Sequence, residues 1–150
     1  MKQFVVTPCV SVGDIYFGME RSKVREILGS YTEYKNFPTD NNTADCFDLC
    51  QAFYNDNNCV EFIMFHSLSD VELKWEETII SNMTKDEIIT FFYERDGNLN
   101  METGMVSFES NKLGVACYFV SDIYFDEVGN EIEFDKVETI SFAIENFWLD

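Results

Sequence analysis

Apolar residues recur every three or four positions in two short stretches of the chain and every second position in several longer ones. In Glu20-Arg-Ser-Lys-Val24-Arg-Glu-Ile27-Leu28-Gly29, Val24, Ile27 and Leu28 fall on one side of a short helix that a glycine ends. Thr84-Lys-Asp-Glu87 predicts the start of a second helix. There the threonine oxygen accepts from the Glu87 amide, the Glu87 carboxylate reaches back, and Ile88, Phe91 and Phe92 form the buried stripe. After each helix the period falls to two. Residues 46–54 and 59–66 are predicted strands around Asn55-Asp56-Asn57-Asn58, whose side chains suit turn and left-handed conformations. Residues 105–109, 113–120 and 137–148 predict three more. In the last, Ile140, Phe142, Ile144 and Trp148 alternate with Thr139, Ser141, Ala143 and Glu145, so one sheet face is covered and the other is not.

The two halves of the pattern superpose. A shift of 64 positions places Ile79 on Ile15, Met83 on Met19, Ile88 on Val24, Leu113 on Leu49 and Tyr118 on Tyr54. Further along the shift becomes 77, placing Ile140 on Ile63 and Phe142 on Phe65, so the second half carries 13 extra residues somewhere within 119–136. The expectation is a single domain, 1–150, of α+β class. It would hold two tandem helix-then-antiparallel-strand repeats, about 12–66 and 76–149, forming one curved antiparallel sheet with the short helices on one face.

Composition narrows the partners. Of 150 residues, 28 are Asp or Glu and 10 are Lys or Arg, a formal charge of −18. That charge argues against nucleic acid, which binds by exchanging counterions for Lys and Arg, and against anionic membrane surfaces. With 46% hydrophobic residues and 15 Phe the chain is no disordered acidic tail. Five cysteines, an odd number, and an N-terminus without an apolar signal core predict a cytoplasmic protein with reduced thiols. Acylation at Cys9 is disfavoured by the Val6-Thr7-Pro8 that precedes it.

The segment Gly13-Asp-Ile15-Tyr-Phe17-Gly18-Met19-Glu20-Arg-Ser-Lys-Val24-Arg-Glu-Ile27-Leu28-Gly29 resembles the helix signature GMT-x-x-x-V-x-x-x-LG of the small outer-membrane-assembly lipoproteins. A tandem pair of such units is similar to the architecture of the β-lactamase inhibitor proteins. This resemblance implies a non-catalytic, protein-binding scaffold. Without a lipobox or the paired cysteines of a secreted inhibitor, neither the membrane location nor the β-lactamase target carries over. Size, acidity and the same opening motif also resemble the immunity proteins of bacterial toxin systems, which implies a toxin partner and no reaction.

Catalytic readings find little support. His66 is the single imidazole available as a base, in Phe65-His66-Ser67, beside no nucleophile elbow. Cys46, Cys50, Cys59 and His66 have the donor types of a zinc site. However, Cys46-x3-Cys50 on one strand would hold the sulfurs roughly 13 Å apart, so inert thiols are expected. No glycine-rich phosphate loop or H-E-x-x-H pair occurs, and no cofactor is expected.

Two surfaces remain. The insert from Asp122 to Asp135 holds six carboxylates, including Asp126, Glu127, Glu131, Glu133 and Asp135, and does not match the spacing of a calcium loop. It predicts a hairpin with Glu131 and Glu133 on one face and Ile132 and Phe134 on the other. Such a surface could meet the Lys and Arg of a basic protein, or simply be a solvated face. The second surface is the sheet face carrying Val60, Phe62, Met64 and His66, opposite Ile63 and Phe65. It is either a docking patch or is covered by loop 30–44 or a homodimer partner. The expected function is an immunity protein that occludes a basic, nuclease-type toxin through Asp126, Glu127, Glu131, Glu133, Asp135, Phe62, Met64 and His66. The alternative is an assembly scaffold, homodimeric through its open sheet face. From Asp122 to Asp150 there are nine carboxylates, opposed by Lys136 alone.

Overall fold

A computed structural model describes residues 1–35, 38, 42–101 and 106–149, with Asp122 described by its backbone alone. The chain opens with three strands, β1 (Lys2–Thr7), β2 (Ser11–Val12) and β3 (Ile15–Tyr16), followed by helix α1 (Arg21–Leu28). Strands β4 (Thr32–Tyr34), β5 (Ala44–Cys46), β6 (Cys50–Tyr54) and β7 (Val60–Phe65) come next, then a 3-10 turn at Leu68–Asp70. The second half holds β8 (Val71–Trp75), β9 (Thr78–Ile79), helix α2 (Lys85–Tyr93), β10 (Asn100–Met101), β11 (Ser107–Ser110), β12 (Val115–Phe125) and β13 (Glu131–Ala143).

The chain is mostly strand, with two short helices, and its strands form two sheets; this overturns the expectation of an α+β domain with one curved sheet built from two helix-then-strand repeats. The larger sheet has eight strands in the order β10-β11-β12-β13-β7-β6-β5-β4 and is antiparallel throughout. The smaller has the order β3-β2-β1-β8-β9 and is mixed, because β1 and β8 run parallel with Phe4 opposite Leu73. Both halves begin with strands that precede the helix, and those strands pair with each other rather than extending the large sheet. The physical cause is visible at Val71-Glu-Leu73-Lys-Trp75. Its three apolar side chains are fully buried on one face, so it needs a second layer to cover.

The core lies between the sheets. Phe4 of the small sheet packs on Phe65 of the large one at 5.1 Å between ring centroids, and Trp75 stacks on Phe142 at 6.2 Å. Helix α2 presses Phe92 against Trp75 and Phe108. Its N-terminus is closed by the Thr84–Glu87 capping box, with Glu87 N to Thr84 Oγ1 at 3.2 Å and Thr84 N to Glu87 Oε1 at 3.0 Å. At the junction of the halves, Ile140 lies opposite Phe65 and Phe142 opposite Ile63. Burial of these four side chains fixes the register, since a one-residue slip would turn all of them to the other face.

Three strand boundaries depart from expectation. Residues 46–54 are not one strand: Phe47 N donates to Cys50 O in a turn that separates β5 from β6. The strand placed at 137–148 stops at Ala143, and Asn146 takes a positive φ of 62° in the turn that follows. The strand placed at 105–109 begins outside the described residues at Met105, and β11 runs instead from Ser107 to Ser110.

Candidate functional site

Strands β12 and β13 stay paired from Val115 opposite Phe142 out to Phe125 opposite Glu131. Their partners are shorter. Strand β11 pairs with β12 as far as Tyr118, and β7 reaches only Ile140 of β13, so the outer part of the hairpin projects from the sheet. A register shift between Tyr118 and Phe119 re-phases the ribbon. Beyond it Ser121 faces Asp135, Ile123 faces Glu133 and Phe125 faces Glu131 on one side, while Tyr124 faces Ile132 on the other. The carboxylates thus share their face with Ile123 and Phe125, and Ile132 and Phe134 share theirs with Tyr124. Phe125 is 70% exposed and Tyr124 50%, large aromatic surfaces to leave in water.

The expected acidic residues have distinct environments. Asp126 is committed to the turn: its Oδ1 accepts from Val128 N at 3.0 Å and from Asn130 N at 2.8 Å. Asp135 is paired with Lys85 at 3.0 Å and accepts from Ser121 Oγ at 3.1 Å, and these bonds, Lys85 first, hold its carboxyl below the ordinary range. Glu127, Glu131 and Glu133 are exposed along the projecting part.

The stripe on β7 is altered. A register shift between Phe53 and Tyr54 puts Val60 opposite Tyr54, turning Val60 into the core rather than onto the outer face. Phe62 does lie on that outer face but is covered by the chain's own C-terminal turn: Phe147 stacks on it at 5.1 Å, with Trp148 edge-on at 6.2 Å and Phe53 at 5.0 Å. That turn is pinned by Asn111, whose carbonyl accepts from Asn146 N and whose Oδ1 accepts from Trp148 N at 3.0 Å. Loop 30–44, the alternative cover, falls partly outside the described residues. Met64 and His66 are half-buried, and His66 Nδ1 lies 3.3 Å from Ser67 Oγ.

The structure therefore does not join the two expected surfaces. Phe62 pairs with Ala143, and Glu133 lies ten residues further along β13, roughly 33 Å at the usual rise of a strand. His66 sits nearer the hairpin, lining a cavity of about 290 Å³ with Ser69, Lys136 and Glu138. Cys46 and Cys50 lie in strands of opposite direction and on opposite faces, since Cys46 pairs with Gln51 and Cys50 with Phe65. Burial pushes the Cys50 thiol up to about 12, which favours the neutral thiol over the thiolate. Among the described residues no group of three His, Cys, Asp or Glu side chains is placed to hold a metal.

One charged cluster was not expected. Arg21 and Arg25 lie off the Val24 stripe of α1, where a helical wheel leaves side chains to solvent, yet they turn onto Asp45, whose side chain has no exposed surface. Arg25 donates to it at 2.8 and 2.9 Å, Arg21 at 2.8 and 3.2 Å, and Tyr54 Oη at 2.8 Å. These bonds run from α1 to β5 and fasten the helix to the large sheet.

No family model, curated protein or solved structure matches the chain. Among the described residues no helix is long and apolar enough to cross a membrane.

Proposed function

We propose that the chain is a non-catalytic protein-binding module, an immunity protein that neutralises a basic, nuclease-type bacterial toxin in the cytoplasm by occluding it. The observation that carries this reading is the projecting β12–β13 hairpin. It sets the exposed carboxylates of Glu131 and Glu133 on one face with exposed Ile123 and Phe125, Glu127 at the turn, and exposed Tyr124 and Phe134 on the reverse face. Large apolar side chains among like charges, as Ile123 and Phe125 are among the carboxylates, make a surface suited to a cationic partner with apolar ground between its charges. A net charge of −18 steers such a partner inward from a distance. A toxin that cleaves a phosphate polymer carries the required positive charge at its own active site, and carboxylates lying there take the place of phosphate. The scaffold alternative depended on an open Phe62 face, which Phe147 and Trp148 occupy.

The test is to express the protein encoded in the adjacent upstream reading frame alone and together with this chain. Growth arrest relieved by co-expression, with a stable one-to-one complex on gel filtration, is the expected result. Arrest that persists beside a folded, abundant chain would overturn the reading.

A further inference from the structure

The side of β13 turned away from β12 is paired for four residues only. Strand β7 meets it at Ile140, Ser141, Phe142 and Ala143, and among the described residues no other strand pairs with that edge from Glu131 to Thr139. Strand edges left open this way offer a row of backbone donors and acceptors to any extended chain. Beside the edge runs a groove of about 580 Å³ floored by Leu68, Ile79, Met83 and Met1. Phe134, Asp135, Lys136 and Val137 form its wall. Side chains alternate between faces along a strand, so a groove lined by four consecutive residues meets both faces of β13 and the backbone between them.

We propose, on the reading of the chain as a toxin-binding module, that this open edge receives an extended segment of the partner as an added β-strand, in which basic and apolar residues alternate. The alternation follows from the two faces of β13. On one face an added strand meets Glu131 and Glu133, Asp135 there being already taken by Lys85. On the other it meets Ile132 and Phe134. Main-chain bonds supply the attachment, and the two rows of side chains supply the selection. A second copy of this chain is the wrong occupant. Antiparallel pairing of two such edges brings Glu131 and Glu133 of both copies onto one face, where like charges oppose each other.

The test uses the full chain and the upstream-encoded protein as probe. Amide exchange is followed by NMR in the free chain and in the complex. A companion variant has Asp122–Phe134 replaced by Asn-Gly, which keeps Phe119 and Val137 in the core. Slowing of exchange by tenfold or more for the outward amides of 131–136, together with at least a hundredfold weaker Kd for the shortened chain, is expected. Unchanged exchange at 131–136 in a complex that does form overturns the strand addition and leaves the function reading standing. Binding within threefold of wild type by a folded shortened chain does the same. If the shortened chain does not fold, the exchange measurement on the wild-type complex decides alone. Failure of the wild-type chain to bind at all removes the function reading itself. Protection of 131–136 that grows with concentration in the chain alone assigns the edge to a second copy and overturns the proposal.

Discussion

The Arg25 guanidinium grips the Asp45 carboxylate with two parallel hydrogen bonds, Nε to Oδ2 at 2.8 Å and Nη2 to Oδ1 at 2.9 Å, from a helix to the floor of a sheet. Arg21, one helical turn earlier, adds a second pair of bonds to the same carboxylate. Removing the anion leaves two guanidinium groups, 11% and 25% exposed, without their main counter-charge. Asp45→Ala is expected to destabilise the fold by about 3 kcal/mol in urea unfolding, the usual loss when one partner of a buried ion pair is removed. Arg25→Ala, which leaves Arg21 and Tyr54 on the carboxylate, should cost less.

The same carboxylate sets an acid limb. Burial works to raise the Asp45 pKa, but hydrogen bonds from Arg25, Arg21 and Tyr54 outweigh it and hold the group at about 2. A carboxyl whose pKa is lower folded than unfolded contributes stability above its unfolded value near 4 and loses it as pH falls through its folded value. Stability should therefore drop by about 2 kcal/mol between roughly pH 4 and pH 2 on account of this group. Unfolding free energies of Asp45→Asn measured across that window should lack this component of the slope.

How much of this was legible in the sequence depends on whether the signal is local. The Thr84–Glu87 box and the Ile88, Phe91, Phe92 stripe are local, and they form as read. The alternation of Val71, Leu73 and Trp75 with Glu72 and Lys74 is equally local, but no strand was expected there, and it forms β8. Its parallel pairing with β1, sixty-nine positions away at Phe4 and Leu73, has no local mark, and so the second sheet was missed. Register shifts defeat alternation in the same way: Val60 keeps its apolar character but changes face because β6 and β7 slip by one residue beyond Phe53. The acidic hairpin could be placed from composition. That its edge stands open could not, because it depends on where β7 ends. Nor could Asp45 be separated from the other carboxylates, since its partners Arg21 and Arg25 look solvent-facing on a helical wheel.

The C-terminal turn is expected to act as a clamp on the outer sheet face. Phe147→Ala removes the ring stacked on Phe62, and a loss of about 1–2 kcal/mol is expected for a half-buried aromatic pair. Trp148 packs on Phe147 at 5.5 Å, so its emission should shift to the red while Trp75, fully buried, keeps its own. An unshifted spectrum with unchanged stability would show that the turn does not hold Phe62.

Gly114 marks the turn between β11 and β12, with φ at +64°. A Cβ there would run into the Ala143 carbonyl oxygen and lie 2.9 Å from Cys9 Sγ. The backbone cannot yield easily, because Ala143 N donates to Gly114 O at 2.9 Å. Gly114→Ala combines a left-handed backbone with a collision and is expected to cost more than about 2 kcal/mol in thermal unfolding. Gly129→Ala, at φ +86° in the open hairpin turn with nothing near its Cβ, carries the backbone strain alone and should cost about half as much.

The hairpin carboxylates make the most direct claim about binding. Glu131 and Glu133 are exposed on a ribbon that stands clear of the core, so Glu131→Lys with Glu133→Lys should leave stability within about 0.5 kcal/mol of wild type. Association with the upstream-encoded toxin should slow by about ten- to a hundredfold, because the reversal removes favourable charge where encounter occurs and puts repulsion in its place. The dependence of the association rate on salt should flatten, and stopped-flow mixing at two ionic strengths measures both effects. Asp14→Lys with Glu94→Lys, on the β2–β3 turn and at the end of α2, makes the same change in net charge away from the hairpin and serves as the control. If both pairs slow association equally, the effect belongs to the overall charge of −18 rather than to the hairpin.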